Sequence, residues 1–213
     1  MIFYSPLDGD AVTNSIKSRP RECFLITRLG KPRPRVVEDI RRAVIESCSA
    51  VGYGVIDANE RVTGRDFLLK IWQLIAATPL SVAVIDDEIP DSTKANIFYE
   101  LGVAQALGKE TLIIRSKNAN VPSDFVRSEY LIFDRGFSGN FKKFLCALSE
   151  QAEHYEIVAD QLDRNPILAL DYLRRAYLIT GNPELRKRAK ELLKNAGVDS
   201  RAKNSIEQLA AAF

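Results

Sequence analysis

Apolar positions along this chain follow two different spacings, and the change between them divides it. From Cys23 to Phe133, short continuous apolar runs alternate with stretches in which apolar residues recur every third or fourth position. The runs are Cys23-Phe-Leu-Ile-Thr-Arg28, Tyr53-Gly-Val-Ile-Asp57, Ser81-Val-Ala-Val-Ile85, Thr111-Leu-Ile-Ile-Arg115 and Glu129-Tyr-Leu-Ile-Phe133. Each is short and does not alternate with polar residues, which predicts strands buried on both faces. Between them, Val36, Val37, Ile40, Val44 and Ile45 predict one helix. Phe67, Leu68, Ile71, Trp72 and Ile75 predict a second, and Ile97, Leu101 and Ala104 a third. Gly30-Lys-Pro-Arg-Pro34 breaks the first run, Pro79 stops the second helix and Gly108 the third.

Strands alternating with helices predict an α/β fold, a parallel sheet with helices on both faces. Five strands fit the flavodoxin-like order 2-1-3-4-5, with its switch point between strands 1 and 3. That order sets Thr27, Arg28 and Leu29, at the end of strand 1, beside Asp86 and Asp87, at the end of strand 3. The helix carrying Glu100 is expected to begin over the same crevice, with Glu100 in its first turns. Open α/β sheets place their ligands there.

After Gly139 only helical spacing remains. Phe141, Phe144, Leu145, Leu148, Ala152, Tyr155, Val158 and Leu162 mark one long helix. Asn165-Pro166 and Asn182-Pro183 each set a capping Asn before a Pro suited to the first helical position. Ile206, Leu209, Ala210 and Phe213 mark a last amphipathic helix. The expected organisation is an irregular extension over residues 1–21, an α/β domain over 22–139 and a helical segment over 140–213. The long helix is apolar on two sides, which favours self-association through the C-terminal helices.

A net charge of +2 gives no reason to expect a polyanionic partner, so nucleic acid is not an expected ligand. The charge is uneven, however. Lys17, Arg19, Arg21, Arg28, Lys31, Arg33, Arg35, Arg41 and Arg42 face only Glu22, Glu38 and Asp39 in the same stretch. This is a solvated basic face, or one or two of these arginines hold nucleotide phosphates. Cys23, Cys48 and Cys146 lack metal-ligand spacing and are expected to be buried thiols in a reducing compartment. No apolar run approaches the ~20 residues that span a bilayer, and no leader pattern opens the chain. A cytoplasmic protein with no membrane partner is expected.

The block Asn96-Ile-Phe-Tyr-Glu-Leu-Gly-Val-Ala-Gln-Ala-Leu-Gly-Lys109 carries the candidate chemistry. Glu100 is either a solvated acid favoured by the helix dipole or a carboxylate facing a ligand. Asn96, one turn earlier, either orients it or caps the helix. Gly102 would permit close approach of a backbone or ligand, at a cost of about 1 kcal/mol to the helix. Tyr99 is a packing residue or a base-stacking one. Asp86 and Asp87, with Asp91, are candidate acids, ribose ligands or loop caps. Trp72 fits the core stripe of its helix, and His154 a helix surface or a packing position. No metal-ligand cluster and no phosphate loop are found.

The same block, following a strand that ends in Asp, resembles the nucleoside 2-deoxyribosyltransferase family. It is equally similar to the bacterial TIR-like nucleotide-binding domains related to that family. The resemblance covers about residues 22 to 134. It implies that Glu100 is the catalytic carboxylate at the sugar, and that the ligand is a small nucleotide or nucleoside. The transferases usually place a Tyr or a small-residue turn where this chain has Thr27-Arg28-Leu29-Gly30. An Arg there suits a phosphorylated ligand and leans toward NAD, as substrate and not as cofactor, and toward the TIR-like branch with its NAD-cleaving defence effectors. No cofactor is expected. The expected activity is cleavage or transfer at an N-glycosidic bond; the alternatives are deoxyribosyl transfer between nucleosides, a nucleotide-sensing module without catalysis, and a scaffold that binds no nucleotide.

Overall fold

A computed structural model of the chain describes residues 4–6, 8–10, 16–30, 32–58, 67–125, 129–162 and 164–195. Five strands form one parallel sheet: β1 (Glu22–Ile26), β2 (Gly54–Asp57), β3 (Leu80–Ile85), β4 (Glu110–Arg115) and β5 (Tyr130–Ile132). Their order is β2-β1-β3-β4-β5, the flavodoxin-like arrangement expected from the sequence. In the register, Ile26 lies opposite Ala83, and Ile85 opposite Arg115. Every residue of β3 is buried. A central parallel strand is covered on both faces, and that is why its sequence does not alternate.

Among the described residues, three long α-helices lie between the strands: α1 (Arg35–Ala50), α2 (Phe67–Ala77) and α3 (Asp91–Ala106). α1 buries Val37, Ile40, Val44 and Cys48, one stripe at helical spacing. It lies against β2 and β3, whereas α3 packs on β3, β4 and β1 and beside α2. Right-handed crossovers send α1 and α3 to opposite faces, because β1 connects toward one edge of the sheet and β3 toward the other. α3 ends as the sequence predicts. Gly108 takes φ +64°, its amide donates to the Gln105 carbonyl, and the Lys109 amide donates to that of Ala104. This pair of bonds satisfies carbonyls that a helix end otherwise leaves open.

The chain divides into two compact units. One is Glu22–Cys146; the other combines Met1–Arg21 with Ala147–Phe213. The division falls inside α4 (Phe137–Asp160), which α5 (Pro166–Thr180) and α6 (Pro183–Asn195) follow. α4 begins before Gly139, because Phe137 is itself buried and stacks on Phe141 with ring centroids 5.5 Å apart. Both expected Asn caps form: Asn165 Oδ1 accepts from the Leu168 amide at 3.2 Å, and Asn182 Oδ1 from the Glu184 amide at 3.0 Å. Arg188 of α6 donates to Glu156 and Asp160 of α4. Arg175 lies over the rings of Tyr155 and Tyr172, and His154 is exposed. The helix expected around Ile206, Leu209, Ala210 and Phe213 lies outside the described residues.

One expectation about the thiols is corrected. Cys23 and Cys48 are buried, but Cys146 is exposed. Leu145 and Leu148 take the buried stripe of α4, and position 146 falls off it. Among the described residues, no helix is long and apolar enough to cross a membrane.

Candidate functional site

α3 begins at Asp91, just after Pro90. Glu100 therefore stands in the third turn and not in the first turns, about 13 Å along the helix from its start. At that depth the N-terminal dipole no longer acts on it. What acts is helical spacing. Ile97, Leu101 and Ala104 are the buried residues of α3. Glu100 follows Ile97 by three positions and precedes Ala104 by four, so its carboxyl leans toward the side of the helix that packs on the sheet. Burial raises its pKa from the ordinary 4.5 to about 7. Among the described residues, no cation and no hydrogen-bond donor offsets that burial.

The other residues of the block are placed as follows. Asn96 lies inside α3 and is exposed, so it is not the cap, and no hydrogen bond joins it to Glu100. Tyr99 is exposed, with its ring centroid 6.3 Å from that of Trp72. Trp72 is half-buried between α2 and Tyr99, at the margin of the core. At Gly102 an added Cβ would meet open space, so no backbone of the described residues approaches closely there, and of the two expected reasons for a glycine only a ligand is left.

The three acids before the helix differ from one another. Asp86 is buried, and its Oδ1 accepts from the Glu88 amide at 3.0 Å, capping the turn that leaves β3. Asp87 is exposed, and its Oδ1 accepts from the Ser116 hydroxyl at 3.3 Å, joining the exits of β3 and β4. Asp91 opens α3 and pairs with Lys94 at 3.4 Å in solvent.

At the end of β1, Thr27 is 6% exposed and its Oγ1 has no hydrogen-bond partner among the described residues. A buried hydroxyl left so costs about 1–3 kcal/mol. Arg28 is half-buried and Leu29 is exposed. The sheet order brings this segment beside Asp86, because β1 and β3 are neighbours. α3 packs against both strands. The sheet order thus sets Thr27 and Arg28 beside Asp86 and Asp87 at the switch point. Glu100 stands in the third turn of α3, which packs on both strands, and Asn96 and Tyr99 lie on the solvent side of α3.

One group was missed in the sequence. Arg33 and Arg41 both donate to Asp57 Oδ2, at 3.1 and 2.9 Å, and both reach Glu38. Asp57 ends β2 and is buried. Two of the nine basic residues are therefore neither solvated nor free for phosphate. Pro32 and Pro34, on either side of Arg33, were the available signal: they stiffen the segment and fix where that side chain departs. Among the described residues, no group of three or more His, Cys, Asp or Glu is arranged to hold a metal ion.

No protein-family model matches this sequence, and no curated protein matches it. Among solved structures, the fold is similar to that of a 2-deoxyribosyltransferase from the psychrotolerant bacterium Bacillus psychrosaccharolyticus. The two share 14% identity at a TM-score of 0.42, over 57% of this chain and 90% of that one.

Proposed function

We propose that this chain cleaves or transfers at the N-glycosidic bond of a nucleotide, with NAD the favoured substrate and Glu100 the reacting carboxylate. The observation that carries the reading is a partly buried carboxyl with no counter-charge among the described residues, on a helix packed against the two strands that flank the switch point of the sheet. Such a group is costly to keep unless something arrives to face it. Breaking a ribosyl C1′–N bond develops positive charge at the sugar. A carboxylate there stabilises the charge, or attacks C1′ to form a sugar ester while the base departs with the bonding pair.

The leaving group discriminates between substrates. A carboxyl with a pKa of about 7 is only about half ionised at neutral pH. A cationic ring bound beside it favours the carboxylate, and the nicotinamide of NAD is such a ring. That ring also leaves as a neutral base, without an acid to protonate it. A neutral purine requires an acid, and Asp86 and Asp87 each already hold a loop bond through one oxygen. In this reading Arg28 meets phosphate, and the unpartnered Thr27 hydroxyl meets a polar group of the ligand. The helical segment would bring copies of the chain together, as the sequence suggests, and the TIR-like branch is the nearer analogue.

The test is base release, followed by chromatography, from NAD and from deoxynucleosides over a range of protein concentrations, for the wild type and Glu100→Gln. Nicotinamide release lost in the variant is the expected result. Release from deoxynucleosides alone would replace the NAD reading with deoxyribosyl transfer. Nucleotide binding without release would make the protein a sensor.

A further inference from the structure

The segment that leaves β1 is held from three directions by one side chain. Arg33 Nε donates to the Arg28 carbonyl at 3.3 Å, Nη1 to Glu38 at 3.3 Å and Nη2 to Asp57 at 3.1 Å. Arg28 belongs to the β1 exit, Glu38 to the first turn of α1, and Asp57 to the end of β2. The Arg33 side chain is 9% exposed and that of Asp57 is 3%. A planar guanidinium can serve three acceptors in fixed directions, and a lysine cannot. Gly30 takes φ +83°, a left-handed backbone that favours glycine.

We infer that Arg33 is a positioning residue of the candidate site, which by bonding to Arg28, Glu38 and Asp57 at once holds residues 27–30 in the shape that receives the ligand. The inference rests on the reading of this crevice as a nucleotide site. The carbonyl of Arg28 is the link. Fixing it restrains the backbone from which the Thr27 and Arg28 side chains depart, the two groups that the β1 exit offers to a ligand. Arg41 makes the role separable from folding. It stays on Asp57 Oδ2 when Arg33 is replaced, so the buried carboxylate keeps a cation. It makes no bond to the Arg28 carbonyl.

The experiment compares the wild type with Arg33→Gln, Arg33→Lys and Arg41→Gln. Hydrogen exchange of residues 24–33 and 91–106 is measured in the free protein, and KM and kcat for base release from NAD are measured alongside. Loss of one backbone tie predicts exchange of residues 24–33 faster by about tenfold in both Arg33 variants, with α3 unchanged. KM should rise by about tenfold in the same two variants, with kcat within roughly twofold of wild type. Arg41→Gln should keep wild-type exchange in residues 24–33 and a wild-type KM. Unchanged exchange in Arg33→Gln would overturn the inference, and so would faster exchange with an unchanged KM. Exchange is read without substrate. A wild type that neither binds nor cleaves NAD would overturn the nucleotide reading, and the exchange of residues 24–33 would then decide the hold of Arg33 alone.

Discussion

Lys109 Nζ donates to the carbonyl of Ala76 at 2.7 Å, and the lysine is buried. Ala76 lies in the last turn of α2. A helix end leaves such carbonyls open and carries partial negative charge, so an ammonium there satisfies both. The residue that closes the Glu-Leu-Gly block thus works on a neighbouring helix and not on a ligand. Replacing it by Ala should cost about 1.5–3 kcal/mol, the range for a hydrogen bond to a charged group. Urea unfolding checks the loss, and the folded fraction should keep its activity.

Glu100→Gln should gain stability as well as lose base release. A carboxyl whose folded pKa lies above its unfolded value takes up a proton on folding. Its cost is absent below about pH 4.5, grows as pH rises, and is complete above about 7. The glutamine variant should therefore match the wild type near pH 4.5 and exceed it by about 1–3 kcal/mol at pH 8. Unfolding at the two pH values measures the difference. Equal stability at both would contradict the burial of the carboxyl.

Wild-type activity should carry the same signature. If the ionised carboxyl attacks the sugar, kcat/KM should rise with pH through about 7 and level above it. A profile that falls through that range would assign Glu100 the part of an acid.

At Gly102 the space is open and the backbone helical. Gly102→Ala should stabilise the free protein by about 0.5–1 kcal/mol. A thermal scan tests this. The same variant in a nucleotide-binding assay asks whether a ligand uses that space, since weakened binding in a more stable protein would say that it does.

The thiols should separate by accessibility. Burial and the neighbouring Cys48 push the Cys23 thiol up, and both residues are enclosed. Cys146 is exposed. A thiol reagent should label Cys146 alone in the native protein, and all three cysteines only after denaturation. Rapid native labelling of Cys23 would mean that the packing of β1 against α1 opens readily.

The sheet was legible because buried parallel strands are written as unbroken apolar runs, and the five runs mark the five strands to within two residues at each end. The start of α3 was not. Asp91-Ser-Thr-Lys-Ala has no large apolar residue before Ile97, so a first turn and a half that faces mostly solvent reads as loop. Only Pro90 hinted at it. Glu100 stood out through its surroundings in the sequence, but its burial follows from its helical spacing to Ile97 and Ala104. Arg33 escaped notice because its partner Asp57 lies 24 residues away, and Pro-Arg-Pro signals a break without saying what the Arg reaches. Cys146 was misplaced because it neighbours apolar residues in sequence while helical spacing turns it outward.

The early start of α3 has a consequence for what this protein could tolerate in evolution. Glu100 is aimed by helical phase, counted from Ile97 and Leu101, and each residue turns the helix by about 100°. The turn between β3 and Pro90 can change length without re-aiming it. One residue inserted between Ile97 and Glu100 would turn Glu100, Leu101 and Ala104 together by about 100° relative to Ile97, so that either the core would lose Ile97 or the acid would turn away along with Leu101 and Ala104. Homologues that keep the chemistry should therefore vary in length before Pro90 and hold the spacing from Ile97 to Ala104 fixed.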